Sequence, residues 1–414
     1  MKEMKKLVFT LGLCLVAAVS FGQKKVVNDA LKMAKDANRP NFTEARNLIK
    51  GALQHAETKD DPKTWYYAGQ IEAAEFDREN TKQLLGQQPN QNTMYSALLG
   101  VYPYYEKAYE LDMIPDAKGK AKPKYTKDMK SIMKANMSNY LSGGIYFFEE
   151  KDYKKALEFL EQIIKIQDGQ MMSEDRQPGA PLDSIYIYAN YYAAIAASMS
   201  NDQELTIAAM KRAAKIDFNR NEVYKWLIAE YSVADDKANW ESTINEAISL
   251  YPEDEQFALM LIQFHISNDN NEKALESINA ALVKNPTNAD LLGVAGTIYE
   301  SNFNDYEKAE EYFKKAVEAN SEDAAALSNL GRIYFNRGVQ RLDAANAITD
   351  TKKYNEERNI ALESFKQALP YFEKAFKLDP EARDNRVALR SIYYNLKMED
   401  KLAEIENVMN EGNN

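Results

Sequence analysis

The sequence predicts an all-α fold in which about eight antiparallel helix pairs stack into a right-handed superhelical solenoid. One helical pattern recurs every 34 or 35 residues through the second half of the chain. Small or apolar residues mark its first position, alanine follows seven residues later, and proline closes two of the units. These positions are Thr206, Trp240, Ala274 and Ala309, then Ala213, Ala247, Ala281 and Ala316, with Pro252 and Pro286 at the ends. A period of this length is typical of stacked helix-turn-helix units.

The clearest unit lies at 289–321, and its residue types fit closely packed helices. Gly296 and Tyr299 fall on its first helix, and Ala309, Phe313 and Ala316 fall on its second helix. We expect its glycines, Gly293 and Gly296, at contacts between helices, because larger side chains would hold the helices apart. Tyrosine and phenylalanine then fill the space beside those contacts.

These residues resemble the tetratricopeptide repeat family, whose pattern is W-x2-L-G-x2-Y followed by A-x3-F-x2-A-x4-P. The next unit repeats the pattern with Leu330, Gly331 and Tyr334, then with Ala368, Phe372, Ala375 and Pro380. The resemblance is strong after residue 186 and looser before it. It implies paired helices that present a binding surface. Trp240 occupies a position that the family usually gives to alanine, so we expect a less close helix contact there.

Residues 1–22 are predicted to be a secretory signal peptide. Lys2, Lys5 and Lys6 precede the uncharged run Leu7–Val19, which is too short to span a hydrocarbon core of about 30 Å. The sole cysteine, Cys14, lies in this segment, and lipidation there is the less favoured alternative because Leu13 replaces the small residue that lipoprotein signals require. Removal of the segment leaves no cysteine for a disulfide or a thiolate site.

The remainder divides into three predicted regions. Residues 23–167 contain degenerate repeat units with insertions, 168–184 form a loop or boundary, and 185–414 form a repeat array with an elongated last helix pair. Residues 79–96 are rich in asparagine and glutamine and are predicted to separate the two helices of one unit. Helical spacing within 336–366 predicts that both helices of one pair are extended as a hairpin. We expect this hairpin to cap the end of the solenoid, and a contact with a partner is the less favoured alternative.

The composition argues against several kinds of function. Residues 1–22 carry three lysines and one glutamate, so their removal changes the formal net charge from −11 to −13. A chain this acidic is not expected to bind nucleic acid over a broad surface. We find no motif for a catalytic site, a cofactor or a metal. His265 occupies the tyrosine position of its repeat and is predicted to be a packed helical side chain.

A lysine run at 118–134 is the sharpest local charge feature. It comprises Lys118, Lys120, Lys122, Lys124, Lys127, Lys130 and Lys134. One interpretation is a site for acidic partners, anionic lipid or cell-wall polymer. The favoured alternative is a solvated linker between repeat units, in which Pro123 prevents helix formation.

The family resemblance also implies that the first helices line a concave groove. It assigns to this groove Tyr66, Gln70, Tyr188, Tyr191, Lys225, Gln256, Gln263, Thr297, Arg332 and Asn336. Tyrosine rings, amides and isolated cations suit an extended peptide, since rings cover apolar groups and amides pair with its backbone. Ordinary solvated helix surface is the alternative for each of these residues.

The sequence therefore predicts a non-catalytic scaffold that binds a protein or peptide partner. The signal peptide predicts export, to the periplasm or the outer membrane of a bacterium, with peripheral membrane association as an option and no transmembrane segment in the mature chain. The alternative is a ligand-binding module for a glycan or peptide, in which the insertions at 79–96 and 168–184 cover the groove. A closed apolar cavity beneath those insertions would favour that alternative.

Overall fold

The computed structural model describes residues 22–411, which form two compact units, 22–235 and 236–411. All regular secondary structure in this part of the chain is helical. The all-α class predicted from the periodicity is therefore confirmed. The predicted signal peptide falls almost wholly outside the described residues.

The first unit consists of antiparallel helix pairs and one short helix. Its helices are α1 (22–34), α2 (Phe42–Gln54), α3 (Pro62–Leu84), α4 (Gln91–Asp112), α5 (Thr126–Glu149), α6 (Tyr153–Asp168), α7 (Gln170–Ser173), α8 (Ser184–Ser198), α9 (Gln203–Ala213) and α10 (Arg220–Val233). Buried side chains of α1, α2 and the start of α3 form one continuous core.

The second unit continues the alternation. Its helices are α11 (Lys237–Leu250), α12 (Glu255–Ser267), α13 (Asn271–Lys284), α14 (Ala289–Ser301), α15 (Tyr306–Ala319), α16 (Ala324–Asn346), α17 (Thr351–Leu378), α18 (Arg383–Asn395) and α19 (Glu399–Glu411). One core joins α12 to α15, and another joins α15 to α19. The cores thus follow one another along the chain, as expected for repeats that contact mainly their neighbours.

Local sequence fixes where these helices begin and end. Aspartate or asparagine precedes most of them, and its side chain accepts a hydrogen bond from a backbone N–H of the first turn, as Asp305 does from Lys308 at 3.1 Å. Several turns within pairs contain a residue in the left-handed region although it is not glycine. These residues are Lys151, Asn201, Asp269, Asn304 and Lys397. Their conformation ends one helix and returns the chain for the next.

Glycine permits the closest helix approach in the unit that the sequence marked most clearly. A Cβ atom added to Gly296 would lie 2.6 Å from the ring of Phe313, which is fully buried between α14 and α15. The aromatic ring therefore occupies the volume that a side chain at Gly296 would need. This contact is the one that the repeat pattern predicted.

The insertions differ from the prediction in detail. Most of 79–96 extends α3 and α4, and the connection between these helices is confined to 85–90. Within 168–184 the structure has the single helical turn α7 and then a loop, while the division between compact units falls at Asp235 and Asp236. That division immediately precedes α11, whose Trp240 packs edge-on against Phe264 with ring centroids 4.9 Å apart.

The predicted elongated pair within 336–366 is present as α16 and α17, but it is not the last pair. Helices α18 and α19 follow it and complete its core with Leu389, Ile392 and Ile405. The expectation that the hairpin caps the end of the array is thus corrected. Residues 383–411 lack the glycine and proline positions of the repeat pattern, so periodicity alone did not reveal this pair.

Candidate functional site

A groove in the second unit lies along its first helices, α12, α14 and α16. It has a volume of about 490 Å³, and its wall runs from Asp269 in the turn after α12, along Asp290 and Thr297 of α14, to Asp323 and Asn329 at and just after the N-cap of α16. Asp290 and Thr297 are seven residues apart, so they share one helix face. The groove therefore follows the first helices, where the family resemblance predicts a binding surface.

Gly293 lines this groove, and no steric contact with a neighbouring atom requires a glycine at this position. A Cβ atom added there would have nothing within 4 Å, whereas one at Gly296 would collide with Phe313. The expectation that both glycines serve helix contacts is thus wrong for Gly293, because it faces the groove and Gly296 faces α15. A glycine inside a helix costs about 0.5–1 kcal/mol relative to alanine. Here the missing side chain leaves open space on the groove wall.

The groove is acidic and rich in amides. Its walls carry the carboxylates of Asp269, Asp290 and Asp323 and the amides of Asn271, Asn302 and Asn329, beside apolar groups of Ile266 and Val294. The groove lining includes neither lysine nor arginine. One carboxylate is already used, since Asp323 accepts the backbone N–H of Ala325 at 2.8 Å. Asp269 and Asp290 are exposed and define the negative edge of the groove.

The predicted residues of the second unit have different surroundings. Thr297 lines the acidic groove, and its hydroxyl donates to the Gly293 carbonyl at 3.0 Å. Asn336 lines a separate cavity beside Phe303 and Arg337. Gln256 and Gln263 are exposed on α12, where Gln263 donates to Ser267, and neither lines the acidic groove.

Arg332 is held in an ion pair. Its Nη1 donates to Glu300 Oε1 at 2.5 Å, and its Nη2 donates to Asn329 at 3.0 Å. Glu300 is only 6% exposed, and its second carboxylate oxygen has no partner in the described structure. Arg332 thus compensates a buried charge and positions Asn329 at the groove.

In the first unit, Tyr66 and Gln70 belong to a packed polar cluster. The Tyr66 ring stacks on Tyr125 with centroids 4.7 Å apart, and its hydroxyl donates to Asp128. Burial, followed by the Asp128 carboxylate, raises the pKa of Tyr66, so the phenol remains a donor. Gln70 is buried, accepts from Lys35 and donates to Tyr105 at 2.7 Å. The structure differs from the prediction that Gln70 lines a groove, because this amide faces the protein interior.

Tyr188 lies at a second, largely apolar groove on first helices. The groove, of about 420 Å³, runs between α5 and α8 and is lined by Ile145, Phe148 and Tyr192 as well as Tyr188. Tyr191, one turn along, instead packs against Phe218 and Trp226. Two positions assigned to one groove thus face different neighbours.

Lys225 is ion-paired within α10. Its ammonium lies 3.2 Å from Glu222, one helical turn earlier in the chain. The lysine side chain is mostly buried, whereas the glutamate side chain is about half exposed. The structure therefore places Lys225 along its own helix surface, in a short-range pair with Glu222.

Beneath the segment 168–184 lies a cavity of about 400 Å³, but it is not apolar. Lys134, Asp175, Arg176 and Asp183 contribute to its lining. Among residues 22–411, no group of three or more histidine, cysteine, aspartate or glutamate side chains is arranged to hold a metal ion. None of the helices in that range has the length and apolar character to cross a membrane.

Residues 299–347 match the tetratricopeptide repeat family. Similar solved structures include MamA, with 19% identity and a TM-score of 0.33 over 47% of this chain and 95% of that structure. A tetratricopeptide repeats protein from Bacteroides fragilis has 19% identity and a TM-score of 0.32, covering 62% and 98%. YrrB, described as a tetratricopeptide protein with an unusual peptide-binding site, has 19% identity and a TM-score of 0.33, covering 49% and 91%. No curated protein sequence matches the chain.

The family match covers the end of α14 and the whole of α15 and α16. The same region contains the fully buried Phe313 and the ion pair between Arg332 and Glu300. Residues 299–347 are thus similar to the tetratricopeptide repeat family, and the sequence period of 34 or 35 residues and the successive helix pairs are consistent with that similarity.

Proposed function

We propose that this protein is an interaction scaffold that binds an extended peptide segment of a partner in the groove of α12, α14 and α16. Tetratricopeptide helices offer rows of side chains, and asparagines along such a row can pair with a peptide backbone. The observation that carries the proposal is Gly293, a helical glycine that faces the groove and touches no neighbour. Its missing side chain leaves room for a ligand at a cost in helix stability.

The charge of the groove suggests the kind of segment that it binds. Asp269 and Asp290 are exposed at its edge, and the lining contains no cation. Complementary charge gives specificity and faster association. We therefore propose that the peptide carries at least one lysine or arginine, placed beside small or apolar residues that reach Ile266 and Val294.

A steric block of the groove tests this proposal. Random dodecapeptides displayed on phage are selected on the full chain, and enriched peptides are measured by fluorescence polarisation. Gly293→Leu fills the groove and should weaken binding at least tenfold. Gly51→Leu is the matched control, because Gly51 is also helical and without neighbours within 4 Å.

The expected peptides contain basic residues and bind more weakly as salt rises. Equal binding to the Gly293→Leu and Gly51→Leu proteins would place the binding site elsewhere. Selection that enriches no peptide would contradict the proposed function. Selection of acidic peptides would contradict the charge assignment alone.

We further propose that the scaffold works in the bacterial envelope, after export and removal of residues 1–22. The support is the N-terminal sequence, in which three lysines precede the uncharged run Leu7–Val19. N-terminal mass spectrometry of the protein from fractionated cells tests this. A periplasmic or outer-membrane fraction whose protein begins at Gln23 is the expected result, and an intact N-terminus in the cytoplasmic fraction would refute it.

A further inference from the structure

The lysine run divides into paired and unpaired members. Lys122 lies 3.0 Å from Asp116, and Lys130 and Lys134 lie 2.9 and 3.5 Å from Asp175. The four others are exposed and have no ion pair within the described residues: Lys118, Lys120, Lys124 and Lys127. These four cations lie in or next to the connection between α4 and α5, here called the basic loop (113–125).

Two aspartates hold the basic loop in a defined shape. The Asp112 carboxylate accepts the backbone N–H groups of Lys124, Tyr125 and Thr126 at 2.8–2.9 Å, and also the Thr126 hydroxyl. Asp116 accepts the N–H groups of Lys118 and Lys120 at 2.9 and 3.2 Å. The lysine backbones are therefore fixed before any partner arrives, which lowers the entropy lost on binding.

The basic loop also contains an exposed apolar side chain. Ile114 is 61% exposed and lies in the same loop, two residues after Asp112. The sequence 113–127 contains five lysines and one aspartate, a net charge of +4 within a chain of −11. An exposed isoleucine among cations is the combination that a membrane interface accommodates, since lipid buries the apolar group and headgroups attract the cations.

We propose that the basic loop is a peripheral binding surface for a membrane that contains anionic lipids. Ile114 enters the headgroup region while Lys118, Lys120 and Lys124 contact lipid phosphates. The acidic remainder of the chain opposes this weakly at physiological ionic strength, where charges separated by more than about 8 Å are screened. Each lysine near such a surface strengthens partitioning about fivefold.

Vesicle co-sedimentation of the protein without residues 1–22 tests the proposal, with vesicles of pure phosphatidylcholine or with about one third phosphatidylglycerol. K118Q/K120Q/K124Q should reduce partitioning to the anionic vesicles about a hundredfold. The control K211Q/K352Q/K353Q has the same net charge and changes three exposed lysines outside the loop, so it should bind like the wild type. All proteins begin at Gln23, so that the three lysines and the apolar run Leu7–Val19 do not themselves bind the vesicles.

I114S should weaken partitioning about fivefold without changing the net charge. Equal losses in the two triple variants would overturn the proposal, because total charge rather than the loop would then govern binding. Wild-type binding that is equal on both vesicle types would also overturn it. So would soluble polyglutamate binding that matches vesicle binding and is insensitive to I114S, since this would identify an acidic polymer as the partner.

Discussion

Phe313 of α15 occupies the space that a side chain at Gly296 of α14 would need, because a Cβ atom at Gly296 would lie 2.6 Å from the buried ring. Gly296→Ala should therefore destabilise the second unit by about 1–3 kcal/mol, despite the better helix propensity of alanine. Urea unfolding followed by circular dichroism measures this change. An unchanged or higher free energy of unfolding would mean that the helices separate easily.

Gly293→Ala, on the same helix, should change the free energy of unfolding in the opposite direction. The new methyl group meets open space, so only the gain in helix propensity remains, about 0.5–1 kcal/mol of added stability. The same urea titration measures it beside Gly296→Ala. Destabilisation by both alanines would contradict the assignment of these two glycines to different helix faces.

Arg332 should be required for stability because it compensates buried Glu300. Arg332→Met leaves a carboxylate that is 6% exposed without its cation, and we expect a loss of about 2 kcal/mol, less than for a fully buried pair because Arg332 itself is 40% exposed. The double variant Arg332→Met/Glu300→Leu should recover most of the loss. Urea unfolding decides, and a double variant no more stable than the single one would contradict the mechanism.

Stability should fall in mild acid because of His265. Burial, the largest cause, lowers the pKa of this imidazole below its usual 6.5, and its Nδ1 has no partner in the described structure. The unfolded chain therefore takes up a proton near pH 6.5 while the folded chain does so only at lower pH, so stability is lost as pH falls from 6.5 towards the folded pKa.

His265→Phe should remove this dependence. Its free energy of unfolding, relative to the wild type, should be constant above pH 7 and should rise as the pH falls from 6.5 towards 5. Unfolding curves at several pH values measure the difference. A difference that is the same at pH 5 and pH 8 would show that His265 titrates equally in both states.

Asp112 should control the order of the basic loop. Its carboxylate is 6% exposed and accepts four hydrogen bonds at the start of α5. Asp112→Ala leaves three backbone donors without their acceptor, and we expect a cost of about 3 kcal/mol. Amide exchange at Lys124, Tyr125 and Thr126 should accelerate, and Asp112→Asn should be intermediate. Unchanged exchange in the alanine variant would exclude this role.

Residue periodicity predicted the helix pairs correctly wherever small residues face aromatic ones. Gly296 and Phe313 meet because the repeat places them at the shared helix interface, and that relation is local in sequence. The pattern also identified the extension of α16 and α17. It could not identify α18 and α19, whose packing uses ordinary leucine and isoleucine positions rather than glycine.

The candidate site was less predictable, because a repeat position defines a helix face but not what that face contacts. Thr297 lines the predicted kind of groove, yet Gln70 is buried beside Lys35 and Tyr105, which are distant in sequence. Asp290 was missed although it lies seven residues before Thr297. That spacing was the available signal, and it was obscured by the many other carboxylates of an acidic chain.

The serial arrangement of the cores offers a way to find a partner that has not been identified. Since α12 to α15 share one core and α15 to α19 another, local opening of one helix pair need not involve distant pairs. A ligand that occupies one stretch of helices should slow deuterium uptake there and leave remote segments exchanging at their free rates. The segments whose deuterium uptake slows in the presence of a crude extract would then locate the binding surface before the partner is identified.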